Sequence, residues 1–195
     1  LHRWNKKFIT KYATDFWSCS DDASKWFYSE KIIKSNRYLL INNAIDYDIY
    51  RFNESIREKY RNEFKFDQET LVIGNVGRMH FQKNQQFIIR VFNQVHKKKQ
   101  NSRLMLIGDG PDRNQIEDLV KSYKLENYVQ FLGTRSDVNN LMQAMDIFLF
   151  PSIFEGLPLA LIEAQASNLQ IYASTAINNK IIIDTSKIHT YEISE

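Results

Sequence analysis

The sequence predicts a doubly wound α/β domain, a Rossmann-like parallel sheet, preceded by the remnant of another α/β domain. Three observations carry this. Between Leu71 and Ala173, short apolar runs alternate with amphipathic helical stretches. The runs are apolar on both faces, as strands buried between two helical layers must be. Gly or Pro follows each of the first four runs (Gly74 and Gly77, Gly108, Gly133, Pro151), so a loop opens where each strand ends.

The first 45 residues read differently. All three tryptophans lie here, and Trp4, Phe8, Tyr12 and Phe16 recur at the four-residue spacing of one helix face. A short strand is expected at Phe16–Cys19, with Ser20-Asp21-Asp22 capping a second helix. Tyr38–Ile41 reads as a buried strand and Asn42-Asn43 as a turn. Residues 1–45 are therefore assigned to the end of a preceding domain and its hinge, and residues 46–195 to the main domain, its charged stretch 46–69 taken as a linker with some helix. The chain is expected to be a piece of something longer.

In the main domain Leu71–Ile73 is a strand, and Asn84 is expected to cap a helix with Phe87, Ile88, Val91, Phe92 and Val95 on one face. Lys97-Lys98-Lys99 closes that helix at its negative end. Leu104–Ile107 is the next strand, and Asp112 caps a helix carrying Ile116, Leu119, Val120 and Tyr123. Val129–Leu132 is the third strand, followed by a short helix capped by Ser136 or Asp137. Asp146–Phe150 is the fourth, with Pro158 expected at the first helical position beyond it. Leu169–Ala173 is the fifth, and the last twenty residues carry no clear pattern.

Composition removes several classes of function. With 43% hydrophobic and 25% charged residues the chain is an ordinary globular protein, and a net charge of +3 makes no demand for nucleic acid. One cysteine, Cys19, cannot build an internal disulfide framework. No apolar run approaches the roughly 18–20 residues of a membrane helix, and no signal peptide pattern is present.

Ligands of doubly wound sheets bind at the carboxyl ends of the strands, near the reversal of strand order. That singles out the loops 74–83, 108–113, 133–137 and 151–158. Gly77-Arg78 with Lys83 offers close backbone approach and two cations able to flank a diphosphate. A sharper signal is Glu155-Gly156-Leu157-Pro158-Leu159 leading to Glu163. The helical rise separates these two carboxylates by roughly 8–12 Å, with a helix N-terminus between them that favours an anion. Two hydroxyl-binding carboxylates around an anion site describe a nucleotide sugar better than a metal ion. Leu159, Leu161, Ile162 and Ala166 occupy most of the helix circumference, which argues against Glu163 as a plain solvent-facing residue.

The ordered set Gly77-Arg78, Lys83-Asn84, Ile107–Pro111, Val129–Gly133, Pro151-Ser152 and Glu155-x7-Glu163 resembles family 4 glycosyltransferases, retaining enzymes of the GT-B fold common in exopolysaccharide and capsule synthesis. The resemblance covers residues 75–195, and Ser18–Ser20 through Asn42–Asp46 resembles the family's hinge region. It implies that Arg78 and Lys83 hold the donor diphosphate and neutralise the charge of its departure without a metal ion or other cofactor. Glu155, with the backbone of Gly156, Leu157, Pro158 and Leu159, would bind the donor sugar. Glu163 would bind the ribose, and Phe131, Leu132 and Gly133 would line the base. The catalytic set would be Arg78, Lys83 and Glu155.

Two departures stand out. Ala44 replaces the hinge glycine, and Asn168 and Gln170 stand where the family carries Gly and Pro. Asparagine tolerates the left-handed turn that a helix end needs. Since most of the acceptor domain is expected to be absent, the chain should bind donor but transfer sugar poorly alone.

The remaining motifs are weaker. Asp46-Tyr47-Asp48 spells a metal-binding DxD but follows a hinge, and His80 reads as a solvated loop residue close enough to reach a phosphate. His2, His96 and His189 lack partners at zinc spacing, and Ser152 lacks a nucleophile elbow. Arg3, Lys6, Lys7 and Lys11 suit contact with a membrane surface, but the aromatic stripe beside them is expected, by preference, to pack against the missing part of the first domain. The expected partners are a nucleotide-sugar donor, a glycan or lipid-linked acceptor held by the absent domain, and a second copy of the fragment through its aromatic helix. The expected location is the cytoplasm, at the inner face of the membrane. A nucleotide-binding or sensing domain without transferase activity is the alternative; a dinucleotide module is disfavoured because no GxGxxG follows any strand.

Overall fold

A computed structural model describes residues 8–176, 182 and 185–192. The chain divides into two compact units, Leu1–Ala44 and Ile45–Glu195.

The first unit contains a helical turn at 8–12, β1 (Phe16–Ser18), α1 (Asp21–Phe27), α2 (Glu30–Ile33) and β2 (Tyr38–Leu40). Ser20 caps α1 as expected, its Oγ accepting from the Ala23 amide at 3.1 Å. β1 and β2 pair in parallel, Phe16 opposite Tyr38. Phe16 leaves the expected aromatic stripe: it lies on β1 and is buried, whereas Phe8 and Tyr12 are exposed on the helical turn, and Trp4 falls outside the described residues. The expected buried strand at 38–41 is exposed instead, with Leu39, Leu40 and Ile41 all open to solvent.

The second unit carries α3 (Tyr47–Tyr50), α4 (Glu54–Glu63), β3 (Leu71–Val76), α5 (Gln85–Lys98), β4 (Ser102–Ile107), α6 (Arg113–Ser122) and β5 (Val129–Gly133). It continues through α7 (Val138–Gln143), β6 (Ile147–Phe150), α8 (Leu159–Ala166), β7 (Gln170–Ser174) and β8 (Ile188–Tyr191). The six strands pair in parallel in the order β5-β4-β3-β6-β7-β8. The chain therefore winds outward from β3 to one edge, returns beside it at β6, and winds to the other edge. β3 and β6 flank the switch point where such sheets hold ligands. β8 is a sixth strand beyond the five read from sequence.

Alternating side chains feed two cores. Val72, Met105, Ile107, Phe148 and Phe150 pack under α4, α7 and α8, while Ile73, Leu104, Leu106 and Leu149 pack under α5 and α6. Phe148 is fully buried, and each such side chain contributes about 1.5–3 kcal/mol.

The charged stretch 46–69 is no linker. α4 packs against α7, and Asn53 caps it by accepting from the Ile56 amide at 3.1 Å. Arg57 donates to the Met145 carbonyl at 2.7 Å and to Asp146 at 2.5 Å; the buried Arg61 donates to the carbonyls of Ala144, Asp67 and Thr70. Asp146 also accepts from the Val72 amide at 2.8 Å, so one carboxylate ties α4, β3 and β6 together.

Several expected caps are used differently. Asn84 is left-handed (φ 53°) and closes a tight turn, Phe81–Lys83, without a side-chain cap bond to α5. Asp112 makes no side-chain cap bond; its amide donates to the Met79 carbonyl at 3.1 Å. The Asp137 carboxylate accepts from Arg135 and from Tyr60, and the Arg135 guanidinium holds its pKa down to about 2. Pro158 is one position earlier than expected, at the cap of α8. Asn168 does adopt the left-handed turn after α8, with φ 62°.

Candidate functional site

The β3–β6 ladder is short. It pairs Ile73 with Ile147 and Gly74 with Phe148, and beyond that point the Asn75 side-chain amide reaches the Leu149 carbonyl at 2.8 Å. The strands therefore part at their carboxyl ends, and the loops after β3 and β6 face one another across the opening.

Backbone hydrogen bonds lace these loops. The Gly77 amide donates to Ile107, Met79 to Asp109 and Gly108 to Gly133, at 2.8–3.0 Å. Glycine is required at two places in this lacing. A Cβ on Gly108 (φ +124°) would lie 2.1 Å from the Gly77 carbonyl oxygen, and one on Gly110 would lie 2.2 Å from that of Met79. On the other side, the Ile153 amide donates to the Gln82 carbonyl at 2.8 Å, and the Gln82 side chain donates to the Phe154 carbonyl at 2.9 Å.

Within this frame the structure brings together Lys83 and Glu155, 72 residues apart. Lys83 Nζ donates to Glu155 Oε1 at 2.6 Å, and the Glu155 side chain is only 7% exposed. The lysine stem runs along Gly77, and its ammonium lies 5.1 Å over the Phe150 ring. An ammonium has three donors and a carboxylate two oxygens. The pair thus orients both groups and still leaves each with capacity for a ligand.

Arg78 is exposed on the same loop, its carbonyl accepting from Gln85 at 3.0 Å. Gly133 and Gly156 have open space where a side chain would begin, while Leu157 packs on the core, Pro158 is buried and Leu159 is exposed. Phe131 and Leu132 leave β5 on opposite faces. Phe131 packs with the α5–α6 core beneath Arg113, 5.7 Å from its ring, and Leu132 packs with the opposite core. A ligand along this strand end therefore meets Gly133 and backbone more readily than both side chains together.

Glu163 lies on α8, half-buried, and accepts from the Tyr50 hydroxyl at 2.9 Å. Burial raises its pKa, and the Tyr50 hydrogen bond partly offsets this. The Tyr50 hydroxyl is pushed up to about 12 by its own burial and the neighbouring carboxylate. Tyr50 was absent from the expected site, because no local pattern relates it to a glutamate 113 residues away. His80 packs against Phe81, ring centroids 4.5 Å apart. Among the described residues, no three His, Cys, Asp or Glu side chains gather as a metal site would require, and no helix is long and apolar enough to cross a membrane.

The profile of the glycosyl transferases group 1 family matches residues 56–186, which include both sides of the opening. The chain belongs to this family. EpsF of Bacillus subtilis, named as a glycosyltransferase, is 30% identical over 190 residues, 97% of this chain and 50% of the relative. An Escherichia coli enzyme named UDP-Gal:alpha-D-GlcNAc-diphosphoundecaprenol alpha-1,3-galactosyltransferase is 24% identical over 193 residues, 94% of this chain and 48% of the relative. The chain thus spans about half the length of these curated relatives. Among solved structures, HepE of Anabaena in complex with UDP-glucose superposes with a TM-score of 0.82 at 21% identity, over 97% of this chain and 53% of that one. The family's α/β, Rossmann-like GT-B fold is the one seen here.

Proposed function

We propose that this chain holds the donor site of a retaining glycosyltransferase that moves a sugar from a nucleoside diphosphate to an acceptor hydroxyl in surface-polysaccharide synthesis. The observation that carries this reading is the Lys83–Glu155 pair at the opening between β3 and β6. Lys83 and Arg78 bind the diphosphate and stabilise the charge that grows on it as the sugar–oxygen bond breaks. Glu155 accepts from sugar hydroxyls, the open surface at Gly156 admits the ring, and Glu163 accepts from the ribose. In this reading two cations, Lys83 held by Glu155 and Arg78 on the exposed loop, do the electrostatic work of a metal ion. HepE, of the same fold, is named as a complex with UDP-glucose, and the galactosyltransferase relative is named for a UDP-sugar donor and a lipid-linked sugar. Both names support a nucleotide-sugar donor, and the second supports a lipid-linked acceptor for the whole protein.

Calorimetric titration with UDP, GDP, ADP and their sugar conjugates, with and without magnesium, tests the proposal. The expected result is metal-independent binding that tightens when the sugar is attached, with Glu163→Ala costing roughly 1–3 kcal/mol, as loss of a charged hydrogen bond does. Binding of nucleotide with no gain from the sugar would favour a nucleotide-sensing domain instead. Unchanged affinity in Glu163→Ala would remove that residue from the site.

A further inference from the structure

We infer that Tyr50 is a positioning residue for donor recognition, fixing the Glu163 carboxylate so that its second oxygen meets the ribose; this rests on the reading of Glu163 given above. The Tyr50 hydroxyl donates to Glu163 Oε1 at 2.9 Å, and the other oxygen remains available for a ligand. A carboxylate on a three-torsion side chain has several rotamers, so a hydrogen bond to one oxygen narrows the directions in which the other can point.

The tyrosine itself is held firmly. Its carbonyl accepts from two different helices, from Gln143 Nε2 at 3.1 Å and from Ser167 Oγ at 3.1 Å. Both donors are buried, Gln143 at 2% and Ser167 at 1% exposed. Gln143 Oε1 in turn accepts from the Asn53 amide at 3.0 Å, which fastens the segment on the far side of Tyr50 as well. The hydroxyl is therefore carried by a backbone position fixed to α7 and to the end of α8, the helix that bears Glu163. Such support is what a recognition geometry needs if it is to discriminate between similar ligands. Burial raises the Glu163 pKa, and the Tyr50 hydroxyl, by hydrogen-bonding the carboxylate, opposes part of that rise and so favours the acceptor form.

The test uses the nucleoside diphosphate that the wild-type chain binds most tightly among UDP, GDP and ADP, together with its 2′-deoxy and 3′-deoxy forms. Affinities are measured for wild type, Tyr50→Phe and Glu163→Ala, with thermal unfolding as a control. Phenylalanine keeps the ring and the backbone carbonyl, so the unfolding midpoint should stay close to wild type. The expected result is about a fivefold loss of affinity in Tyr50→Phe, the scale of one hydrogen bond. The preference for the ribose form should also shrink toward that of Glu163→Ala, a change that a purely structural tyrosine would not produce. A Tyr50→Phe protein that keeps the wild-type preference while Glu163→Ala loses it overturns the role of Tyr50 alone. If Glu163→Ala keeps the wild-type preference, Glu163 leaves the site and this inference falls with it; if wild type binds none of the three nucleotides, the donor-site reading falls as well.

Discussion

Single residues at this site are governed by burial more than by exposure to solvent. Glu155 is almost fully enclosed, and its charge is tolerable because Lys83 lies 2.6 Å away. Lys83→Met retains the stem along Gly77 but strands that carboxylate. We expect it to lower stability by roughly 3 kcal/mol in urea unfolding, the low end for breaking one side of a buried pair. Adding Glu155→Gln should recover much of the loss; failure to do so would mean that Lys83 stabilises the fold by packing alone. The sequence marked both residues, because glycines and charges clustered after apolar runs stand out locally. It did not reveal that they contact each other, since 72 residues separate them. Tyr50 escaped for the same reason, and for another: in an apolar-charged stretch a tyrosine carries no local mark of a hydrogen bond to a distant glutamate.

Secondary elements were legible where one period dominates the pattern. β3, β4 and β6 are buried on both faces and read as continuous apolar runs. α5 carries its apolar stripe at helical spacing and was equally plain. α4 was not, because most of its residues are charged or polar and only Ile56 and Tyr60 reach the core. Arg57 and Arg61 look like solvated charges until folding brings Asp146 and the carbonyls of residues 144 and 145 to them. Asp146→Ala should therefore act on the fold rather than on the ligand. It removes the partner of two arginines and the acceptor of the Val72 amide, and roughly 3–5 kcal/mol of stability should be lost, read by chemical denaturation. A loss below 1 kcal/mol would show that the arginines are held by the backbone carbonyls alone. An expected cap failed for a related reason. Asp137 has a helix-starting position, but an arginine and a tyrosine claim the carboxylate that would have capped the helix.

For the whole second unit, strand order is the feature that places the site. Winding outward from β3 in both directions leaves a single point where neighbouring loops diverge, and Lys83 and Glu155 meet there. The alternation of strands and helices made the fold class readable, and the glycines and charges of the loops marked the opening at the strand ends. β8 was not read, because His189, Thr190 and Tyr191 are polar or amphipathic in an edge strand that needs no continuous apolar run. The first unit was less legible again. Its two-stranded sheet leaves Leu39 and Leu40 exposed, where strand pattern alone implied burial. The most direct test of the account is a crystal structure of the chain with a bound nucleotide sugar. The diphosphate is expected on Arg78 and Lys83, the sugar on Glu155 and the ribose on Glu163. A diphosphate bound away from the β3–β6 opening, with the Lys83–Glu155 pair untouched, would contradict it.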